Sequence, residues 1–418
     1  MAQTRARNPH RKQNLGLAQM AVSAERREQF PVGASTTLAD LGNDPGAVCE
    51  LLRAEEPVSW FADGRVWLIA SHSLVDEALR DQKRFVTDLK SSEVRQLFGV
   101  TMLTVDGPTH RCHHAPFARN LRRRSLDQHH AAVIHSNAVA IAEALRPQGS
   151  AELMAEFAEP LAFRTVADVL GFDFGDDAAL GDVIAAMAAA DRVDADDAAR
   201  ERAAAARAGF EPQLLATLER APVSAPDSVL ASAVVDPPAE LSEHELANNV
   251  LNLVFGGIDP TASMVGTAVW ALLRHPEALM EVHDEPGALP LAVDEAARLH
   301  PPFGVAVRYV GVDTTFHGAE MRAGEKVYVL TFGANRDDAV FAEPERYDMH
   351  RPNLRLSMSF GRGLHFCIGD ALAKLTAEAA VTAIFAVLPG LRLQDPGAAP
   401  SGISHHKLER LDVTWPGE

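Results

Sequence analysis

Cysteine is scarce: Cys49, Cys112 and Cys367 are the only three in 418 residues, too few for a disulfide framework and in keeping with a reducing cytoplasm. Long apolar runs are absent as well. No uninterrupted stretch approaches the roughly 18 residues of a membrane span, so no anchor is expected. The first dozen residues carry Arg5, Arg7, Arg11 and Lys12 but no apolar core of the kind a signal peptide needs. Residues 1–25 are expected to be a disordered tail ahead of a folded unit spanning 26–418. Positive charge is short, with 39 Lys and Arg against 57 Asp and Glu and a net charge of −18, which argues against nucleic acid as a partner. Nor is there a Gly/Ser linker, an internal repeat or a low-complexity tract. Length alone would allow two or three domains, and a chain that is 47% hydrophobic is ample for a large core.

What the chain does have is a glycine-punctuated loop, Phe360-Gly361-Arg362-Gly363-Leu364-His365-Phe366-Cys367-Ile368-Gly369. Gly361 and Gly363 permit backbone conformations and close approaches that a Cβ would block, so the loop can lie flat against a planar ligand. The residues after Cys367 have helical spacing, which places the sulfur near free N–H groups and the positive end of a helix dipole. That setting is expected to favour the thiolate. A thiolate is one of few protein ligands for haem iron, and it pushes electron density toward a distal oxygen to favour O–O cleavage.

The decapeptide resembles the haem-binding signature of the cytochrome P450 family, Phe-Gly-x-Gly-x-His-x-Cys-x-Gly, at every fixed position. Two further stretches extend the resemblance. Glu295-Ala296-Ala297-Arg298 puts a carboxylate and a guanidinium on one helical face at i, i+3, and Ala334-Asn335-Arg336-Asp337, Phe341, Pro344, Tyr347-Asp348 and Arg351 follow in the family's order. The resemblance covers nearly the whole chain. It implies a mainly α protein with a small β region, one haem-containing domain of the cytochrome P450 fold, and haem b (iron protoporphyrin IX) ligated by Cys367 beside Phe360 and Gly361. It also implies that Glu295, Arg298 and Arg351 form a buried charge network bracing the cysteine loop.

Asp106-Gly107-Pro108-Thr109-His110 reads as a helix start, with Asp106 as cap and Pro108 in the first turn. The resemblance implies that His110, His114, Arg308 and His365 hold the haem propionates, His114 standing where an Arg is common. An imidazole there would make the pocket more dependent on pH than a guanidinium. The basic run Arg122-Arg123-Arg124 matches the family's proximal surface, which implies docking of an acidic ferredoxin or flavodoxin, with complementary charge speeding encounter.

A second long helix is expected from the capping box Ser242-Glu243-His244-Glu245 to Arg274, ahead of Pro276. In its middle, Phe255-Gly256-Gly257-Ile258-Asp259-Pro260-Thr261 resembles the family's oxygen-activating segment. Gly256 and Gly257 would leave room for dioxygen, and Asp259 matches the acid that relays protons. The departure is Pro260, where the family usually has Thr. Proline has no hydroxyl, and it frees the carbonyl of Gly256 by removing an i→i−4 bond. Thr261 lies about 100° further round the helix, so it is not expected to replace that hydroxyl. Two readings follow. Ordered water or a substrate hydroxyl completes the proton relay, or the protein is an atypical member that uses peroxide or performs coupling, desaturation or rearrangement. A fatty-acid peroxygenase would have Arg where this chain has Asp259.

Asn252, Phe255, Phe303, Val305 and Ile403 are the expected substrate contacts, Asn252 because a buried amide needs a partner. The alanine- and acid-rich stretch from about Phe172 to Arg220 matches the family's mobile lid. The expected reaction inserts one oxygen atom of O2 into a C–H bond of a small lipophilic secondary metabolite, with electrons from NAD(P)H through a ferredoxin, in the cytoplasm. A competing class is a haem protein that binds a carrier-tethered intermediate without turning it over.

Overall fold

Ser242 and Glu245 each accept a hydrogen bond from the other's backbone N–H, at 3.0 and 3.3 Å, which satisfies two of the donors a helix start leaves free. The long helix that begins there organises the protein. The structure is a computed structural model and describes residues 24–172, 177–191, 195–225, 228–235 and 237–416. The tail expected over 1–25 lies outside the described residues as far as 23. Residues 24 and 25 are not tail: they open a helix at 24–29. Its Arg26 is buried over the rings of Trp60 and Trp67 and pairs with Glu325 at 2.8 Å, which holds the segment down.

The helices that build the site are α1 (Gly107–Ala118), α2 (Glu159–Leu170), α3 (Asp177–Asp191), α4 (Asp197–Ser224), α5 (Glu243–Arg274), α6 (Leu289–Leu299) and α7 (Asp370–Val387). Helix α5 crosses the protein. Its first half shares one apolar cluster with α3 and α4, and its second half, from Thr261 to Leu272, is buried in another with α6 and α7. The chain is mainly α. Its largest sheet has five short strands, β1 (Val58–Phe61), β2 (Val66–Ile69), β3 (Phe85–Val86), β4 (Ala306–Val310) and β5 (Lys326–Val329), in the order β1-β2-β5-β4-β3. Strands β2 and β5 run parallel and the other neighbours antiparallel. Among the described residues no helix is long and apolar enough to cross a membrane.

Between sheet and helices, one carboxylate ties distant segments together. Glu295 and Arg298 on α6 are both fully buried. Arg298 donates to the two Glu295 oxygens at 2.7 and 2.8 Å and to the carbonyl of Asn335 at 2.6 Å. Arg351 and the backbone N–H of Asp348 also donate to Glu295, each at 2.9 Å. Arg351 spends its remaining donors on the carbonyls of Ala342, Glu343 and Arg346. Asn335 then accepts from the N–H of Met358 at 2.6 Å and donates to Ser359 at 2.9 Å. The chain of bonds thus ends two and one residues before Phe360.

Removing Glu295 would leave two buried guanidinium groups without their counter-ion, a loss of about 3–5 kcal/mol. Glu295→Ala is expected to lower the unfolding free energy from urea denaturation by that amount, with a matching fall in midpoint, and a Glu295→Ala, Arg298→Ala double variant to lose less than the sum of the singles. Unchanged midpoints would show that the network does not hold the fold.

Candidate active site

The cysteine loop is closed by backbone bonds and by glycine. The N–H of Cys367 donates to the carbonyl of Phe360 at 2.9 Å, and that of Gly361 to Met358 at 2.9 Å. Gly361 and Gly363 have φ values of 70° and 72°, a region that costs a side chain strain. At Gly363 a Cβ would also stand 2.6 Å from the carbonyl of Leu79. The loop delivers Cys367 just ahead of α7, where its accessible surface opens on a cavity of about 400 Å³.

The electrostatics at sulfur differ from the expectation of a ready thiolate. Burial pushes the Cys367 thiol up to about 11, although the N–H groups of Gly369 and Asp370 pull it down. Burial removes water from the charged form, and two amide dipoles do not replace it. The sulfur becomes a thiolate only when a cation faces it, as a bound metal ion does. Among the described residues no three metal-ligating side chains converge. A metal opposite Cys367 would therefore bring its other ligands with it, as a haem does.

One end of the same cavity collects nitrogen donors. His110 is 4% exposed and its Nδ1 has no hydrogen-bond partner. Its ring stacks on His114 at 5.3 Å and meets His365 edge-on at 4.6 Å. Burial, followed by the neighbouring imidazoles His365 and His114, lowers the His110 pKa to about 3. Arg308 on β4 is buried, its pKa lowered by burial to about 10, and among the described residues its side chain donates only to its neighbouring carbonyl, Val307, at 2.8 Å. A buried guanidinium with no carboxylate and an imidazole with an idle nitrogen are unsatisfied as they stand. Two carboxylates such as a haem's propionates would satisfy both, so the residues present fit the group.

Asp106 departs from its expected part. Its carboxylate does not cap α1. It accepts the N–H groups of Thr87 and Asp88, each at 2.8 Å, and pairs with Nε2 of His365 at 2.8 Å, because the preceding strand brings residues 87–88 closer than the helix's own first turn. His365 is thereby committed through Nε2, leaving Nδ1 for a ligand. Sequence reasoning saw Asp106 only as a helix start. The fold alone pairs it with a residue 259 positions away.

The distal wall is α5, which runs on through Pro260. Asn252, Phe255, Gly256, Gly257, Pro260 and Thr261 all line the cavity. Thr261, about 100° further round the helix than Pro260, also lies on the cavity wall. The two glycines do different work. A Cβ at Gly256 would meet nothing within 4 Å, so this position opens space, whereas one at Gly257 would stand 2.9 Å from Val166 of α2. Gly257 thus serves helix packing. Asp259 is not on the wall. Lys407 reaches its Oδ1 at 2.5 Å and His405 its Oδ2 at 3.5 Å, and despite burial the two hold its pKa below the usual value.

Phe303 and Val305 line the cavity, and Phe255 packs edge-on against Phe98 at 5.1 Å. Ile403 does not line it. Its side chain is buried in the apolar cluster beneath the sheet and its carbonyl accepts from Gly304, so only the backbone supports the wall. Arg122, Arg123 and Arg124 are all exposed, and Arg123 pairs at 2.8 Å with Asp127 and at 2.8 Å with Glu378. Of the expected lid, 173–176 and 192–194 lie outside the described residues.

A family model described as Cytochrome P450 matches residues 194–387. Pentalenic acid synthase of Streptomyces avermitilis is 31% identical over 398 residues, covering 89% of this chain and 94% of that protein. The 6-deoxyerythronolide B hydroxylase of Saccharopolyspora erythraea is 29% identical, covering 86% of this chain and 93% of its own length. Among solved structures, epothilone D-bound P450epoK superposes with a TM-score of 0.78 at 27% identity, covering 90% of this chain and 97% of that one.

Hydrogen bonds from Thr87, Asp88 and His365 lower the Asp106 pKa from 3.8 to about 2 in spite of its burial. A carboxylate lowered in the folded state contributes stability that is fully present above its unfolded pKa and is lost as pH falls through its folded one. Asp106→Asn is expected to cost about 2 kcal/mol at pH 7. The gap from the parent should narrow between pH 4 and pH 2, read from urea midpoints across that range. A gap that stays constant with pH would show that the Asp106 charge is not what matters.

Proposed function

Because the chain belongs to the cytochrome P450 family, we propose that Cys367 is the one protein ligand of a haem iron, in a unit spanning 26–418 that hydroxylates a small lipophilic substrate. The chain is an oxidoreductase of the monooxygenase kind found in bacterial secondary metabolism. The observation that carries the site assignment is Cys367 opening on an apolar cavity whose edge holds an unpaired Arg308 and an idle His110 nitrogen. When bound, haem b supplies the activation of O2 and the transfer of one oxygen atom to a C–H bond.

The protein's residues do the rest. Cys367 holds the iron through sulfur, and the loop hydrogen bonds to Phe360 and Met358 keep that sulfur in place. His110, His114, Arg308 and Nδ1 of His365 take the propionates, each gaining the partner that burial denies it. Phe255, Phe303 and Val305 exclude water from the substrate's reacting carbon. The reaction consumes two electrons and two protons for each O2 and releases one water. Asp259 keeps a carboxylate in contact with Lys407 and His405, both part-exposed, so a proton reaching either group can pass to an Asp259 oxygen. Thr261 on the cavity wall offers a hydroxyl that Pro260 lacks, which supports the O2-using reading over the peroxide-using one. Electrons come from NAD(P)H through a ferredoxin or flavodoxin that meets Arg122 and Arg124. The unbridged Cys49, Cys112 and Cys367 suit a reducing cytoplasm.

The test is NAD(P)H oxidation by the haem-loaded protein with a surrogate ferredoxin and reductase. Substrate-stimulated oxidation with formation of an alcohol is expected, and Cys367→Ser should lose the thiolate-type carbon monoxide spectrum. Product formed only with added peroxide would sink the O2 reading. Bound ligand without stimulated oxidation would favour the carrier-binding class.

Arg122→Glu combined with Arg124→Glu is expected to raise the KM for the ferredoxin about tenfold at low salt and to leave kcat unchanged. The difference should vanish at high ionic strength, because exposed charges mainly steer encounter. A KM that does not move would place the docking surface elsewhere.

A further inference from the structure

On the α5 side of the cavity three polar groups have no use inside the protein. The Asn252 amide neither donates to nor accepts from any described residue, although it lies on the cavity wall. One turn later Gly256 faces open space, and its carbonyl lacks the α-helical donor because Pro260 has no N–H. The third is the Thr261 hydroxyl, likewise without a partner among the described residues. Three other hydroxyls on the wall are engaged, Thr104 donating to Gly99 at 2.8 Å, Thr331 to Phe303 at 3.2 Å and Ser359 to Ala297 at 2.7 Å, while that of Tyr309, on the sheet side, has no partner among the described residues.

Asn252 is half-buried and Gly256 is exposed to the cavity, so both can meet a ligand, and the unused groups are ordered along one helix. The Asn252 amide can donate, the Gly256 carbonyl can only accept, and the two positions are about 6 Å apart along the axis. Around them the wall is apolar, with Phe98, Val166, Leu170, Phe255, Phe303 and Val305. We propose that Asn252 and the freed carbonyl of Gly256 are a two-point anchor for an oxygenated lipophile, one whose hydroxyl donates to Gly256 and whose carbonyl, a few carbons away, accepts from Asn252. Pro260 acts as a specificity residue, because its missing N–H leaves the Gly256 carbonyl available to the ligand. The proposal rests on the haem-bearing cavity being the substrate site and names the chemistry of what fills it. Thr261 can donate or accept and so does not select between the two oxygens.

The sign of the effect is diagnostic, since adding an oxygen to a ligand weakens its binding in an apolar pocket that offers it no partner. Equilibrium dialysis of the haem-loaded protein would use four ring compounds: cyclododecane, cyclododecanol, cyclododecanone and 3-hydroxycyclododecanone. The hydroxyketone is expected to bind tightest, with each oxygen improving affinity several-fold. Asn252→Leu should remove the advantage of the carbonyl and leave that of the hydroxyl. Pro260→Ala restores an N–H to bond Gly256 and should remove the advantage of the hydroxyl alone.

Equal or weaker binding of the oxygenated compounds, advantages that survive both substitutions, or no binding of any of the four would overturn the anchor. Binding with this pattern in protein that performs no hydroxylation would leave the anchor standing and overturn the proposed reaction instead. Hydroxylation of a substrate whose affinity ignores both substitutions would do the opposite.

Discussion

Glu295 carries a carboxylate with no exposed surface, and both of its oxygens are taken: one by Arg298, the other shared by Arg298, Arg351 and the N–H of Asp348. A charge so placed is tolerated only while every partner is present. The network therefore acts as a constraint on three segments at once, α6, the turn at Asn335 and the stretch from Ala342 to Arg351. Through Asn335 it reaches Met358 and Ser359, and so sets where the cysteine loop starts. The loop's own bonds then decide only the last few ångströms. Rigid support from outside and glycine freedom within are complementary, because a loop with two positive-φ glycines would not hold a ligand atom in place unaided.

The cavity has two electrostatic ends that the same burial creates. At one end a thiol is pushed up and stays neutral without a facing cation. At the other, His110, His114 and Arg308 are all lowered, chiefly by the same loss of water. Each end is poorly satisfied alone, and a group that brings a cation to the sulfur and carboxylates to the nitrogens relieves both. That pairing of opposite deficits is the physical case for an iron porphyrin.

Helix α5 shows how one element serves packing and chemistry together. From Asn252 to Thr261 it is wall, with Met264 still reaching the cavity, and beyond that it is core. Pro260 falls near the change, so the helix loses one internal bond close to where it passes from one role to the other. Asp259, next to it, faces the C-terminal turn rather than the cavity. A carboxylate contacting both the part-exposed Lys407 and a helix that borders the substrate is suited to passing protons inward without exposing the reacting carbon to water.

Much of this was legible in the residues. The helix over 243–274 and the loop around Cys367 follow from capping, spacing and glycine placement, whose physics acts over a few residues, while the mainly α architecture and the buried pairing of Glu295 with Arg298 were implied by the family resemblance. The failures lie where distant segments meet. Asp106 reads as a cap until His365 arrives beside it, and Ile403 reads as pocket until the sheet buries it. The pairing of Arg123 with Glu378 of α7 is likewise absent from the linear order. Residue identity determined which groups can ligate, donate or bend the chain, because those are properties of single side chains and short windows. Only the tertiary structure decided which of them are already satisfied and which still lack a partner, because hydrogen bonding and desolvation depend on neighbours that the linear order does not contain.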